Sequence, residues 1–169
     1  MNRIKWWTVG LAAIALVACS SITFIGPIHD QTHWAEAIKQ AEDTHQPIVI
    51  FKSPGGEVLK TQQIIKDLNE NHPRVRIRVE GKCASACTML IAVKNLCYTK
   101  TSEWIFHGAA TKSHPGTVST WGNIQVMSMY PYKLQQVVEK YGLLKTPLKL
   151  YSMTGETIGQ LDTQPRYCK

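Results

Sequence analysis

Three short motifs in this 169-residue chain carry residue types suited to acyl-transfer chemistry. Ser85 lies in Gly81-Lys82-Cys83-Ala84-Ser85-Ala86-Cys87, between alanines that leave its hydroxyl approachable. A serine hydroxyl is a weak nucleophile until an imidazole takes its proton. His107, in Phe106-His107-Gly108-Ala109, places an imidazole at the end of a strand-like run. Ser53-Pro54-Gly55-Gly56 supplies glycines whose N–H groups can meet a substrate with no Cβ in the way. Amides aimed at a carbonyl oxygen stabilise the oxyanion of a tetrahedral intermediate, each worth on the order of 10²–10³ in rate. Taken singly the motifs are ordinary: a Pro-Gly-Gly turn, an N-cap serine and a structural histidine. Ser85 has no Gly-x-Ser-x-Gly setting, which excludes an α/β-hydrolase elbow.

The elements that must hold these motifs alternate along the chain. Thr32 caps a predicted helix over His33–Glu42, with Trp34, Ala37, Ile38 and Ala41 on one side. Ile48-Val49-Ile50-Phe51 is a continuous apolar run that predicts a strand buried on both faces. A second helix follows, with Val58, Leu59, Ile65 and Leu68 on its apolar side. Val75, Ile77 and Val79 alternate with Arg76, Arg78 and Glu80, so the next strand has one wet face, and Gly81 marks a turn. Ser85 to Val93 reads as a buried helix and Trp104-Ile105-Phe106 as a third strand. Beyond Gly108 the chain loosens into a loop, with helical patterns at Tyr132 to Tyr141 and around Leu148 to Met153. This order predicts an α/β fold with a mostly parallel sheet and crossover helices. All three motifs then lie at strand ends, where open α/β sheets bind ligands.

The formal net charge of +7 invites a nucleic-acid reading, which the N-terminus weakens. Arg3 and Lys5 precede an apolar run from Trp6 to Ala18, the layout of a secretory signal peptide. Leu16-Val17-Ala18-Cys19 resembles a bacterial lipobox, in which the cysteine is acylated and becomes the mature N-terminus. Removing Arg3 and Lys5 takes the charge to +5, scattered rather than patched, and no nucleic-acid partner is expected. The expected division is a signal peptide over 1–18, a lipidated tether over 19–30 and one domain over 31–169. Cys19 then anchors an exported protein on the periplasmic face of a bacterial membrane. Ser20 points to the outer membrane by the lipoprotein sorting rule, and an inner-membrane signal anchor is the alternative.

The motifs Ser53-Pro54-Gly55-Gly56, Gly81-Lys82-Cys83-Ala84-Ser85-Ala86 and Ile105-Phe106-His107 resemble those of the proteolytic subunit of Clp protease. They are more similar still to those of exported Clp-like periplasmic proteins, and the resemblance covers roughly residues 46 to 110. It implies a crotonase-like, ClpP-type fold of repeated ββα units and a serine peptidase. Carried across, Ser85 is the nucleophile, His107 its general base, and the N–H groups of Gly55 (or Gly56) and Ala86 form the oxyanion hole. Among Asp30, Asp43, Asp67 and Asp162, the resemblance selects Asp162 as the acid that orients His107. Glu156, or no acid, is the alternative. Thr111 to Met129 departs from the family's oligomer-forming helix, so a homo-oligomer stays open.

With Cys19 assigned to lipid, Cys83, Cys87, Cys97 and Cys168 remain, and export favours disulfides. Cys83 and Cys87 flank Ser85, and the expected pairing joins one of them to Cys97, with Cys168 tying down the C-terminus. A zinc site from Cys83, Cys87, Cys97 and a histidine is the rival, disfavoured because no close Cys-x-x-Cys pair is present. The expectation is therefore no metal and no cofactor. The expected activity is ATP-independent serine endopeptidase-like hydrolysis of peptides or unfolded proteins, with no Clp ATPase as partner. An inactive envelope lipoprotein with a binding or assembly role and a crotonase-type acyl-transforming enzyme are the alternatives.

Overall fold

The computed structural model describes residues 21–169, apart from Lys112 and the side chain of Ile25. The signal-like segment and Cys19 lie outside the described residues. Strands and helices alternate through β1 (Ile22–Ile25), α1 (Gln31–Thr44), β2 (Ile48–Ser53), α2 (Val58–Glu70) and β3 (Ile77–Ala84). A 3₁₀ helix (Ser85–Ala92) follows, then β4 (Leu96–Tyr98), β5 (Glu103–Phe106) and a hairpin of β6 (Ala110–Thr111) and β7 (His114–Val118). The chain continues through α3 (Thr120–Met127), α4 (Tyr132–Tyr141), β8 (Tyr151–Thr154) and α5 (Gly155–Leu161). The main sheet runs β1-β2-β3-β5-β8, with β4 also on β3. Every pairing in it is parallel except β5 with β8, so the fold is a mixed α/β fold with a mostly parallel sheet. Among the described residues no helix is long and apolar enough to cross a membrane.

Burial explains the elements. Trp34, Ala37, Ile38 and Ala41 of α1 and Thr61, Ile64, Ile65 and Leu68 of α2 pack on a sheet face that holds Phe24, Ile48, Ile50, Ile77 and Val79. Asp30, rather than Thr32, caps α1: its carboxylate accepts from the His33 N–H at 3.1 Å. The segment expected as a tether over 19–30 instead contributes β1. Ile22 pairs with Ile48, Phe24 and Ile28 are fully buried, and the Trp34 indole donates to the Ile28 carbonyl at 2.8 Å. The folded domain therefore takes in residues 22–30 instead of starting at 31.

Three further expectations change for local reasons. Phe51 is 57% exposed, because the register slips between Ile50 and Lys52 and turns that side chain out. Gly81 lies inside β3 and not in a turn; a Cβ there would strike the Phe51 carbonyl oxygen. The segment expected to be helical around Leu148 to Met153 forms β8, since the free edge of β5 recruits it, Tyr151 opposite Phe106 and Met153 opposite Trp104.

The disulfides are Cys83–Cys87 and Cys97–Cys168, which overturns a bridge from the Ser85 turn to Cys97. Cys97 lies opposite Arg78 in the β3–β4 register, five residues back from Cys83, or roughly 16 Å along a strand. Cys87 instead rises one turn beyond Cys83, with the two Cα atoms 5.2 Å apart. Pairing as disulfides also removes all four as thiolate ligands for zinc.

Candidate active site

The three motifs meet. Ser53 is in register with Cys83, and Ala84 with Ile105, so β2, β3 and β5 release their following residues side by side. Between them lies a cleft of ≈ 710 Å³ into which Gly56, Ser85, Ala86 and His107 face. Leu59, Phe106, Trp121 and Tyr130 give it apolar walls. Trp121 and Leu59 are 55% and 50% exposed there, which accounts for a leucine expected to be buried on α2.

Ser85 has φ 56°, in the left-handed region that a residue with a Cβ occupies only at a cost of about 1–3 kcal/mol. The chain accepts this because β3 must turn abruptly into the 3₁₀ helix, and the Cys83–Cys87 bridge closes that corner. Both sulfur-bearing residues are fully buried beneath it. A second support runs through side chains. The Thr88 hydroxyl donates to the Ser85 carbonyl at 2.7 Å, and its remaining bond, to the Tyr130 hydroxyl, therefore has Tyr130 as donor. Tyr130 is buried, and burial pushes its phenol above the usual tyrosine range.

Gly55, at φ 93°, packs directly on this turn. A Cβ on it would sit 2.5 Å from the Ser85 Cβ and 2.9 Å from the Ala86 nitrogen. That contact brings the glycine turn beside the first amides of the 3₁₀ helix, which have no intrahelical partner. Gly55 itself does not fit the donor role expected of it, because its N–H donates to Ser53 Oγ at 3.2 Å and the residue is buried. Gly56, by contrast, lines the cleft together with Ala86. Glycine is required at 56 as well, since a Cβ would run into the His29 ring.

His107 faces the cleft from the end of β5, and its Nδ1 is 2.9 Å from the Gly108 carbonyl. Asp162 is not brought to it. The Asp162 carboxylate is buried, accepts from Arg166 Nε at 2.9 Å and from the Tyr98 hydroxyl at 3.3 Å. Arg166 also donates to the carbonyls of Ile91 and Val93, at the far end of the 3₁₀ helix from Ser85. At about 2 Å rise per residue that end lies roughly 12–16 Å from Ser85. Glu156, the other acid considered, is exposed and pairs with Lys100 at 3.6 Å. Among the described residues no carboxylate ion-pairs or hydrogen-bonds with His107.

The sequence reading missed His29, Thr88 and Tyr130. His29 lines the cleft with its Nδ1 buried and unpartnered among the described residues. It stands in the segment taken for a tether, where no periodicity marks it. Thr88 carries the one signal that was there to read, a hydroxyl three residues after Ser85, able to reach back to its carbonyl.

No family model matches the chain, and no curated protein matches it either. Among solved structures it is similar to the ClpP protease catalytic domain from Plasmodium falciparum, with a TM-score of 0.56 and 17% identity. That likeness covers 88% of this chain and 85% of the other. At this identity it shows the fold, which is ClpP-like.

Proposed function

We propose that the chain is an exported, ATP-independent serine peptidase that cleaves short or unfolded peptides, with Ser85 as nucleophile and His107 as general base. The observation that supports this reading is the packing of Gly55 on a left-handed Ser85, with Gly56, Ser85, Ala86 and His107 lining one cleft. In the first step the Ser85 Oγ proton passes to His107 as the Oγ–carbon bond forms. The carbonyl π pair moves onto oxygen, where the two amides stabilise it. As the C–N bond breaks, His107 returns the proton to the leaving amine, and water hydrolyses the acyl-enzyme by the same sequence in reverse. The apolar walls favour an apolar side chain beside the scissile carbonyl.

Export is supported by the basic-then-apolar N-terminus, by Cys19 in its lipobox-like setting and by two disulfides, which persist in oxidising compartments. Mass spectrometry of the mature protein checks this through an acyl mass on Cys19. For the chemistry, a fluorophosphonate probe labels the wild type, and Ser85→Ala and His107→Ala each abolish labelling. A well-folded wild type that does not label, or labelling that survives in Ser85→Ala, overturns the peptidase reading and leaves a binding role.

A further inference from the structure

We infer that the main-chain carbonyl of Gly108, and no carboxylate, sets the tautomer of His107, so that Ser85 and His107 work as a dyad. This rests on the peptidase reading of the cleft. A carbonyl oxygen only accepts, so the 2.9 Å contact between His107 Nδ1 and Gly108 requires the proton on Nδ1. Nε2 then carries the lone pair, which is the form a general base needs and the form that a buried carboxylate enforces in a triad.

The peptide groups on either side of this carbonyl are hydrogen-bonded in place. The Gly108 N–H donates to the Thr146 carbonyl at 2.9 Å, and the Ala109 carbonyl accepts from the Ser119 N–H at 2.7 Å. Asn123 closes the arrangement: its Oδ1 accepts from the Ala109 N–H at 2.8 Å, and its Nδ2 donates to the Leu144 carbonyl at 2.7 Å. Gly108 packs so tightly there that a Cβ would lie 2.7 Å from the Leu144 oxygen. Asn123 is thus a positioning residue, acting through the 108–109 turn. Two carboxylates compete for the acid's role: Asp162, committed to Arg166 and Tyr98, and Glu57, which lines the same cleft and pairs with Lys60.

The test combines nitrogen NMR of the histidine rings with fluorophosphonate labelling rates per folded molecule. In the wild type His107 carries its proton on Nδ1, and Asp162→Asn labels within about twofold of wild type per folded molecule. Asn123→Ala slows labelling by roughly tenfold to a hundredfold, as a misplaced base does, and mixes the two tautomers. Asn123→Asp, which keeps the acceptor for the Ala109 N–H, recovers part of the rate. A proton on Nε2 in the wild type overturns the inference, and so does loss of labelling per folded molecule in Asp162→Asn. A wild type with the proton on Nδ1 that does not label overturns the peptidase reading alone.

Discussion

At its N-terminal end the 3₁₀ helix begins on Ser85 at φ 56°, open to a cleft and held by main-chain groups, one short disulfide and the Thr88–Tyr130 pair. At its C-terminal end the orphan carbonyls of Ile91 and Val93 each receive an Arg166 N–H at 2.7 Å, and Arg166 is locked to buried Asp162. The chain's last residues then run along β4, with a bridge between Tyr98 and Tyr167, and the Cys97–Cys168 disulfide seals them down. A left-handed serine persists only where its surroundings over-determine it. The contrast shows how the molecule does this: strain is concentrated at the exposed end, and the charged groups and the long-range bridge are concentrated at the other.

If that division holds, cutting the bridge at the quiet end costs stability and leaves reactivity alone. Cys97–Cys168 spans 71 residues, a loop whose closure is worth about 4 kcal/mol in the chain-entropy view. Thermal and urea unfolding of Cys97→Ser/Cys168→Ser show a loss of that order, while the labelling rate per folded molecule stays at the wild-type value. A fall in that rate would merge the two regions. The same end has a pH signature. Burial, helped by the Asp162 charge, pushes the Tyr98 phenol up to about 12. Below pH 10 both folded and unfolded forms keep the proton, and the contribution is complete. Between pH 10 and 12 the unfolded chain ionises first, so stability falls by about 2–3 kcal/mol in all. Tyr130, also raised by burial, acts in the same direction. Urea midpoints across this range fall less steeply in Tyr98→Phe than in the wild type.

How much of this could be read in advance divides along the same line. Residues whose environment is local were legible: the α4 pattern over Tyr132–Tyr141 has the bounds of the helix, and the β-branched run at Ile48 is a strand. So was the meeting of Ser53-Pro54-Gly55-Gly56, Ser85 and His107, because parallel strands separated by helices end on one side of the sheet. Whatever depends on a sequence-distant partner was not. Ile22-Thr23-Phe24-Ile25 reads as part of a lipidated tether until β2 is beside it. Asp162 looks free for catalysis until Arg166 and Tyr98 are seen to claim it. Cys83 finds Cys87 rather than Cys97 because the β3–β4 register puts Cys97 beside Arg78, five residues back from Cys83.

At the reactive end smaller stability changes carry larger changes in chemistry. Cys83→Ala/Cys87→Ala opens a loop of separation 4, worth about 2 kcal/mol, yet it frees the corner that holds Ser85 left-handed. Labelling per folded molecule therefore falls, in contrast to the Cys97–Cys168 variant; equal rates in the two would refute the contrast. Tyr130→Phe is the finest probe. It keeps the ring that packs edge-on against Phe106 and removes only the hydroxyl that donates to Thr88. The net stability loss is about 1 kcal/mol, as for a typical buried hydrogen bond, because Thr88 is left with an unfilled acceptor. Thr88 can then turn away from the Ser85 carbonyl, the left-handed turn loses a constraint, and the labelling rate drops although no atom that touches the probe has changed. Thr88→Val, which removes both bonds together, sets the ceiling for that drop. A Tyr130→Phe variant that loses stability and labels at the wild-type rate would mean that the short disulfide alone holds the serine.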